Sequence, residues 1–142
     1  MLICHIEKPN NVPMAMKKLL IPLNIQCFSK NLSKKFDLNF QILDSKYDIF
    51  KSTVYIADQH YESEDEYNTY FAFITCNKRD AIYIHGLTLP VRLQRKGIGS
   101  YCVNWLKDLC KAFGFKYIIL ASYPDAKAFW QRMGFKEGYY IY

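Results

Sequence analysis

The residues with the clearest capacity for chemistry form the hexapeptide QRKGIG at positions 94–99. Gly97 and Gly99 let the backbone approach a ligand closely and turn successive N–H groups outward. Arg95 and Lys96 place two positive charges directly before these glycines. A pyrophosphate fits such a loop when a helix begins behind it. A glycine turn that merely starts an ordinary helix has the same pattern, so the hexapeptide alone leaves both interpretations open.

A predicted strand and a predicted helix flank this loop. The apolar run AIYIHGLTLP at 81–90 has the composition of a strand, and residues 97–113 repeat apolar side chains at helical spacing. A second apolar strand, YIILAS, follows at 117–122. A helix that joins two parallel strands begins at the carboxyl end of the first strand, where open sheets bind ligands. The loop is therefore predicted at a ligand-binding end of the sheet.

The rest of the chain predicts elements that together give an α+β (mixed α/β) domain. Further strands are predicted at 1–6, 53–59, 70–76 and 135–142, and helices at 12–28, 31–47 and 125–133. We expect Pro22 to break or kink the first helix. The apolar stripe of that helix is predicted to consist of Met16, Leu19, Leu20, Leu23 and Cys27.

Composition predicts one packed domain over residues 1–142, because 51% of the residues are hydrophobic and 17% are aromatic. The net charge of +6 suits an anionic partner. The basic residues are scattered without an RNA-binding aromatic signature, so nucleic acid is the least favoured partner. Five cysteines without a CxxC pair predict no metal site and favour a cytoplasmic or, in a eukaryote, nuclear location. Neither a signal peptide nor a membrane span is expected.

A second motif, AKAFWQRMGF at 126–135, follows the loop after one helix and one strand. The two motifs together resemble the GNAT N-acetyltransferases, whose acetyl-CoA motif is (Q/R)xxGx(G/A) and whose second signature is AxxFYxxxGF. The stretch LTLP followed by QRKGIG is also similar to the MYST histone acetyltransferases. The resemblance covers about residues 70–139. It implies a mostly antiparallel sheet with a βαβ crossover and helices on both faces, in which residues 1–50 form variable acceptor-side helices and 51–142 form the cofactor-binding core.

The resemblance also implies a cofactor, acetyl-CoA, and the residues that bind it. Amides from Arg95 to Ser100 would hold the pyrophosphate, and Gln94 would order the loop. Main-chain groups of Leu87 and Leu89 would pair with pantetheine in a gap that opens where the next strand splays away, at about 121–123. The implied cofactor-binding residues are Leu87, Leu89, Gln94, Arg95, Lys96, Gly97, Ile98, Gly99, Ser100, Phe129 and Trp130.

The group that removes a proton from the acceptor amine is harder to predict. The histone-acetylating branch of the family has a glutamate at the position held here by Tyr83, and no carboxylate occurs from Ala81 to Gly99. Strand alternation puts His85 on the same face as Tyr83 and Leu87, and its ordinary pKa suits a base. A half-buried strand histidine without a catalytic role is the alternative. A water chain to the acidic residues Glu62, Glu64, Asp65 and Glu66 is a further route.

The general acid is also displaced from its usual position. Many family members have a tyrosine after the phenylalanine of the second signature, where this chain has Trp130. The indole N–H of tryptophan is no useful acid, so Tyr123 is the predicted substitute. Simple packing is the alternative role for Tyr123.

The predicted function is that of an acetyl-CoA-dependent N-acetyltransferase (EC 2.3.1 class) that transfers an acetyl group directly to a primary amine in a ternary complex. The acceptor would be a protein lysine, a polyamine or another small amine. The alternative is a non-catalytic acyl-CoA-binding or regulatory domain of the same fold. A monomer and a homodimer are both compatible with the sequence.

Overall fold

The computed structural model describes residues 1–43, 49–58, 69–76 and 80–140. The strands are β1 (Leu2–His5), β2 (Phe40–Ile42), β3 (Val54–Asp58), β4 (Tyr70–Cys76), β5 (Ala81–Thr88), β6 (Tyr117–Leu120) and β7 (Lys136–Glu137). The helices are α1 (Met14–Phe36), α2 (Ile98–Phe113) and α3 (Lys127–Arg132), with short 3₁₀ turns at Val91–Leu93 and Pro124–Ala126.

All seven strands belong to one sheet, in the order β2-β3-β4-β5-β6-β1-β7. Its neighbouring strands are antiparallel, except that β5 and β6 are parallel. The connection between these two strands is α2, which gives a β5–α2–β6 crossover. This confirms the predicted α+β class with a mostly antiparallel sheet and one βαβ unit.

Helix α2 forms as predicted because its apolar residues line one side of the helix. Ile98, Cys102, Leu106 and Leu109 are buried in the core. Gly114 ends the helix in the left-handed conformation, with φ +83°, and its N–H donates to the carbonyl of Cys110.

The two predicted N-terminal helices are in fact one. α1 passes through Pro22 without interruption and ends at Phe36. Proline removes one helical hydrogen bond, and the burial of Ile25 and Phe28 against the core offsets that loss. Asp37 ends the helix in the left-handed conformation, with φ +53°.

The predicted helix over 31–47 was therefore wrong. After Asp37 the chain reverses, and Phe40–Ile42 pairs antiparallel with β3 as an edge strand. Ser33 stabilises this reversal, because its hydroxyl accepts from the Phe40 N–H at 2.8 Å. The short apolar run fitted both periods, and pairing with β3 selected the strand. Residues 44–48 lie outside the described part of the chain.

The apolar stripe predicted for the first helix was also wrong, except for Leu20, which is half-buried and packs against the core. Met16, Leu19 and Leu23 are 49%, 66% and 54% exposed, and the buried side of α1 is a different set. That set consists of Ile21, Ile25, Phe28, Ser29 and Leu32. The helix carries two apolar stripes, and packing against the sheet selects the one rich in isoleucine and phenylalanine. A groove of about 430 Å³, lined in part by Leu23 and Trp105, separates the exposed stripe from α2.

α1 and α2 pack against each other and share one core with the sheet residues Ile56, Phe73 and Ile82. We call the sheet surface they cover the helix face. The short helix α3 adds Trp130 to the same core. On the opposite face a second, smaller cluster consists of Ala57, Tyr70 and Ala72, with Tyr55 packed against it.

The C-terminal residues run from β7 across the sheet. Gly138 donates its N–H to the carbonyl of Met1, and the hydroxyl of Tyr140 donates to the carboxylate of Asp80. Within residues 135–140 of the predicted strand over 135–142, the strand is Lys136–Glu137, and residues 141–142 lie outside the described part of the chain. Within the described ranges, none of the helices has the length and apolar character needed to cross a membrane.

Candidate functional site

Strands β5 and β6 part at the end nearest the glycine loop. Their pairing begins at Ala81↔Tyr117 and ends at Tyr83↔Ile119. β6 stops one residue later, at Leu120, whereas β5 continues to Thr88. The second half of β5 therefore has main-chain groups on its β6 side that β6 does not reach. An extended ligand could pair there as an added strand.

The loop that follows β5 is held in an unusual backbone conformation. Arg95 has φ +62° and Gly97 has φ +87°, both in the left-handed region. Alternation of left- and right-handed residues turns successive N–H groups to one side and creates an anion-binding concavity. The side-chain amide of Gln94 donates to the Leu89 carbonyl at 3.0 Å and so ties the loop back to the end of β5.

The N-terminus of α2 adds unpaired donors and positive charge to this concavity. Its first helical hydrogen bond, from the Tyr101 N–H to the Gly97 carbonyl, leaves the amides of Ile98, Gly99 and Ser100 ahead of it without helical acceptors. Among the residues that the structure describes, no side chain caps this end, and its first turn contains no acidic residue. Arg95 and Lys96 are exposed beside it. The donors and charges present therefore suit a pyrophosphate.

The two glycines of the loop serve different purposes. A Cβ on Gly97 would meet no atom of the described residues within 4 Å, so the left-handed backbone conformation is what requires glycine there. Gly99 is instead needed for space, since a Cβ there would lie 3.2 Å from Phe129 Cζ and 3.6 Å from Leu87 Cδ2. Gly99 thus brings α2, α3 and β5 into contact directly behind the loop.

A β-bulge at His85 shapes the middle of β5. Ile84 pairs with Phe73 and Gly86 pairs with Ala72, so His85 is the extra residue of the ladder. The exposed imidazole of His85 stays on the opposite face, in edge contact with the Tyr83 ring at 4.8 Å between centroids.

The bulge changes the face that the following side chains occupy. The Leu87 side chain lies on the helix face, where it packs against the core and approaches Gly99. The expectation that His85 shares a face with Leu87 was therefore wrong, because simple alternation does not continue through a bulge. The expectation that it shares a face with Tyr83 was right.

Sequence reasoning missed one side chain at this bulge, that of Tyr70 on β4. A Cβ on Gly86 would lie 2.6 Å from the Tyr70 hydroxyl oxygen, so the phenol lies directly over the glycine. Tyr70 is 8% exposed, and its ring is 6.3 Å from that of Tyr55. The signal available in the sequence was the isolated glycine inside a strand, which often marks a close approach by another group.

A family model described as the acetyltransferase (GNAT) family matches residues 23–135. The chain belongs to the GNAT acetyltransferase family. Searches of curated proteins and of solved structures gave no match. GNAT membership confirms the resemblance drawn from the two motifs and indicates an acetyltransferase-type enzyme, for which acetyl-CoA is the typical donor. Among the described residues, no group of three His, Cys, Asp or Glu side chains could hold a metal ion.

The GNAT fold brings most of the predicted cofactor residues to one end of the central strand β5. Leu87, Leu89, the loop from Gln94 to Ser100 and Phe129 all lie around the open end of β5. Trp130 does not join them, since it is 6% exposed and packs against Phe135 in the core, with 5.2 Å between ring centroids.

The predicted acid and the acidic loop have different outcomes. Tyr123 follows β6 and is 80% exposed, so its hydroxyl is accessible beyond the parting of β5 and β6. The acidic residues predicted as a proton route, Glu62, Glu64, Asp65 and Glu66, lie outside the described residues.

Burial makes Cys102, behind the loop, and Cys76, at the far end of β5, poor nucleophiles. Burial raises the pKa of Cys102 on α2, so its thiol is protonated at neutral pH. Burial, with a contribution from the Asp80 carboxylate, raises the pKa of Cys76 to about 11. The exposed thiol, that of Cys27, is on α1.

Proposed function

We propose that this GNAT protein is an N-acetyltransferase that transfers the acetyl group of acetyl-CoA directly to a primary amine. The observation that carries the proposal is that two features meet at one end of the central strands β5 and β6. The pairing of β5 with β6 ends at Tyr83↔Ile119, and the glycine loop with its exposed amides begins beyond that opening. One elongated ligand with an anionic end and an extended arm suits both features.

The cofactor would be held chiefly by main-chain groups. The amides from Arg95 to Ser100 would donate to the pyrophosphate, and Arg95 and Lys96 would add charge. Main-chain groups of Leu87 and Leu89 would pair with the pantetheine arm, with Phe129 packed alongside. Gln94 would fix the loop through its hydrogen bond to Leu89. When bound, the cofactor supplies the acetyl group as a thioester.

The chain itself must remove a proton from the acceptor. A lysine or polyamine nitrogen with a pKa near 10.4 is neutral in less than about 0.1% of molecules at pH 7. His85 is our candidate base, because its imidazole is exposed on the opposite face, beside Tyr83, at the level where β5 and β6 part. Tyr123 is our candidate acid, by virtue of its accessible hydroxyl. The raised pKa values of Cys76 and Cys102 favour direct transfer over a covalent cysteine intermediate.

The test begins with isothermal titration of acetyl-CoA into the protein, where we expect micromolar binding. The next step is a thiol-release screen on polyamines, lysine peptides, aminoglycosides and amino acids, with His85→Ala beside the wild type. We expect one amine class to release thiol. His85→Ala should slow that release at neutral pH, where an ordinary histidine is available as a base and little of the amine is neutral. Absence of acetyl-CoA binding would refute the proposal.

A non-catalytic acyl-CoA-binding domain is the second candidate. Two observations favour it: Tyr83 stands where related enzymes have a glutamate, and Trp130, in the usual tyrosine position, is buried in the core. This candidate predicts acetyl-CoA binding without thiol release for any amine of the panel, so the same pair of assays separates the two functions.

A further inference from the structure

We propose that Tyr70 is a further residue of the acyl-transfer site, whose hydroxyl donates a hydrogen bond to the thioester group as the carbon–sulfur bond breaks. The proposal rests on the acetyltransferase function proposed above. It assigns to a β4 side chain the donor that the second motif lacks, where Trp130 replaces the usual tyrosine.

The acetyl group would pass from the helix face of the sheet to the opposite face. The glycine loop and the N-terminus of α2 lie on the helix face with Leu87 and Gly99. A chain that enters the gap between β5 and β6 from that side reaches the opposite face just beyond Tyr83↔Ile119. The β5 residues at that level are Ile84, His85 and Gly86.

The side chains at that level on the opposite face come from β5 and from its neighbour β4. Ile84 is directed into the core, so Tyr83 and His85 are the β5 side chains on this side. Gly86 has no side chain, and the phenol of Tyr70 fills its place, with Oη 2.6 Å from the position that a Cβ would take. The Tyr70 hydroxyl therefore lies over Gly86, the residue that follows the candidate base His85 in the chain.

The Tyr70 ring is held in place by its neighbours on β3 and β4. It is buried with Ala57 and Ala72 and contacts the half-buried ring of Tyr55. The two alanines are small enough to let the ring lie against the sheet, and the missing side chain of Gly86 leaves room for its hydroxyl. A donor fixed in advance can stabilise developing charge without reorganisation during the reaction.

Acetyl transfer exchanges a carbon–sulfur bond for a carbon–nitrogen bond. The neutral amine attacks the thioester carbonyl, the carbon–nitrogen bond forms, and the carbon–sulfur bond breaks with its electron pair on sulfur. The Tyr70 O–H donates a hydrogen bond to this charge and keeps its proton. The amine loses its proton to His85, and Tyr123 gives a proton to the thiolate, which leaves as the free thiol of CoA. Exchange with water then returns His85 to its neutral form and Tyr123 to its protonated form.

The first test is a crystal structure of the protein with acetyl-CoA. We expect Tyr70 Oη within about 3.5 Å of the thioester sulfur or carbonyl oxygen. A complex in which the hydroxyl is farther from both atoms would overturn the proposal. A wild-type protein that binds no acetyl-CoA would instead refute the proposed function, and isothermal titration separates the two results.

The second test compares Tyr70→Phe with the matched control Tyr55→Phe, on whichever amine releases thiol in the screen. Tyr70→Phe should lower kcat about 10- to 100-fold, the loss expected for one hydrogen bond to a charged group. The acetyl-CoA Kd should be unchanged, and Tyr55→Phe should match the wild type. A Tyr70→Phe enzyme with wild-type kcat would contradict the proposal.

A third variant, Gly86→Ala, keeps the hydroxyl but displaces it. The added methyl group would lie 2.6 Å from Oη and 2.9 Å from Cε2, so the ring must move. We expect a loss of kcat in the same direction, with acetyl-CoA binding retained. A purely structural role for Tyr70 would lower the melting temperature in these variants and leave the kcat of the folded protein intact.

Discussion

Gly97→Ala separates the conformational role of the glycine loop from its role in ligand binding. Gly97 has φ +87° and ψ +5°. An alanine in this left-handed conformation lowers the free energy of unfolding by about 1–2 kcal/mol. Restriction of the unfolded chain returns about 0.4–1 kcal/mol. Because the added methyl group meets no atom within 4 Å in the described part of the chain, we expect no further steric cost. The net loss of unfolding free energy is then about 1 kcal/mol, or roughly 2–4 °C in melting temperature.

The effect of Gly97→Ala on the ligand should be larger than its effect on stability. The methyl group projects into open space at the N-terminus of α2, where we expect the pyrophosphate. Loss of one hydrogen bond to a charged group is worth about 1.5–3 kcal/mol, so affinity for acetyl-CoA should fall by about 10- to 100-fold.

Gly134→Ala is the matched control. Gly134 has φ +95°, and its nearest neighbour, the flexible end of Lys107, would lie 3.4 Å from an added Cβ. It should lose similar stability without loss of affinity. Thermal unfolding and isothermal titration on the wild type and both variants measure the two effects. If Gly97→Ala binds acetyl-CoA as tightly as Gly134→Ala does, the pyrophosphate does not bind at this loop and the reasoning is refuted.

Three further predictions concern the surroundings of the site. Gln94→Ala removes the amide that donates a hydrogen bond to the Leu89 carbonyl at the end of β5. Loss of one hydrogen bond should weaken acetyl-CoA binding about three- to tenfold, measured by isothermal titration with Gln131→Ala as the control. Native alkylation with iodoacetamide at pH 8, followed by mass spectrometry, should label the exposed Cys27 and spare Cys76, whose pKa is raised to about 11; early labelling of Cys76 would contradict its burial. Tyr140→Phe should cost about 1 kcal/mol in urea unfolding at pH 8. Burial and the hydrogen bond to Asp80 raise the pKa of Tyr140 in the folded state, so this difference should shrink as pH rises above about 10; a difference that grows instead would contradict the assignment.

The glycine loop and α2 could be predicted because their determinants are local. Gly97 and Gly114 require left-handed backbone, and the residues between them repeat at helical spacing, so helix bounds and the loop followed from a short stretch of sequence. The second motif added the family. No long-range contact had to be known for these conclusions.

The bulge and the exposed stripe of α1 could not be predicted, because tertiary contacts decide both. Whether His85 shares a face with Leu87 depends on how β4 pairs with β5, and pairing register is not written in either strand alone. The side of α1 that is buried depends on which of two apolar stripes fits the sheet. Tyr70 was missed for the same reason, because its ring lies over Gly86 only when β4 and β5 pair in this register.

The position of β1 in the sheet has a consequence for how the chain folds. β1 lies between β6 and β7, with Leu2 paired to both Leu120 and Glu137. The first strand of the chain therefore acquires its neighbours only when its last strands are available, and closing so long a loop carries a large entropic cost. We expect the hairpins of β3 to β5 to form early, and the docking of β1 to be the late, slow step that completes the sheet.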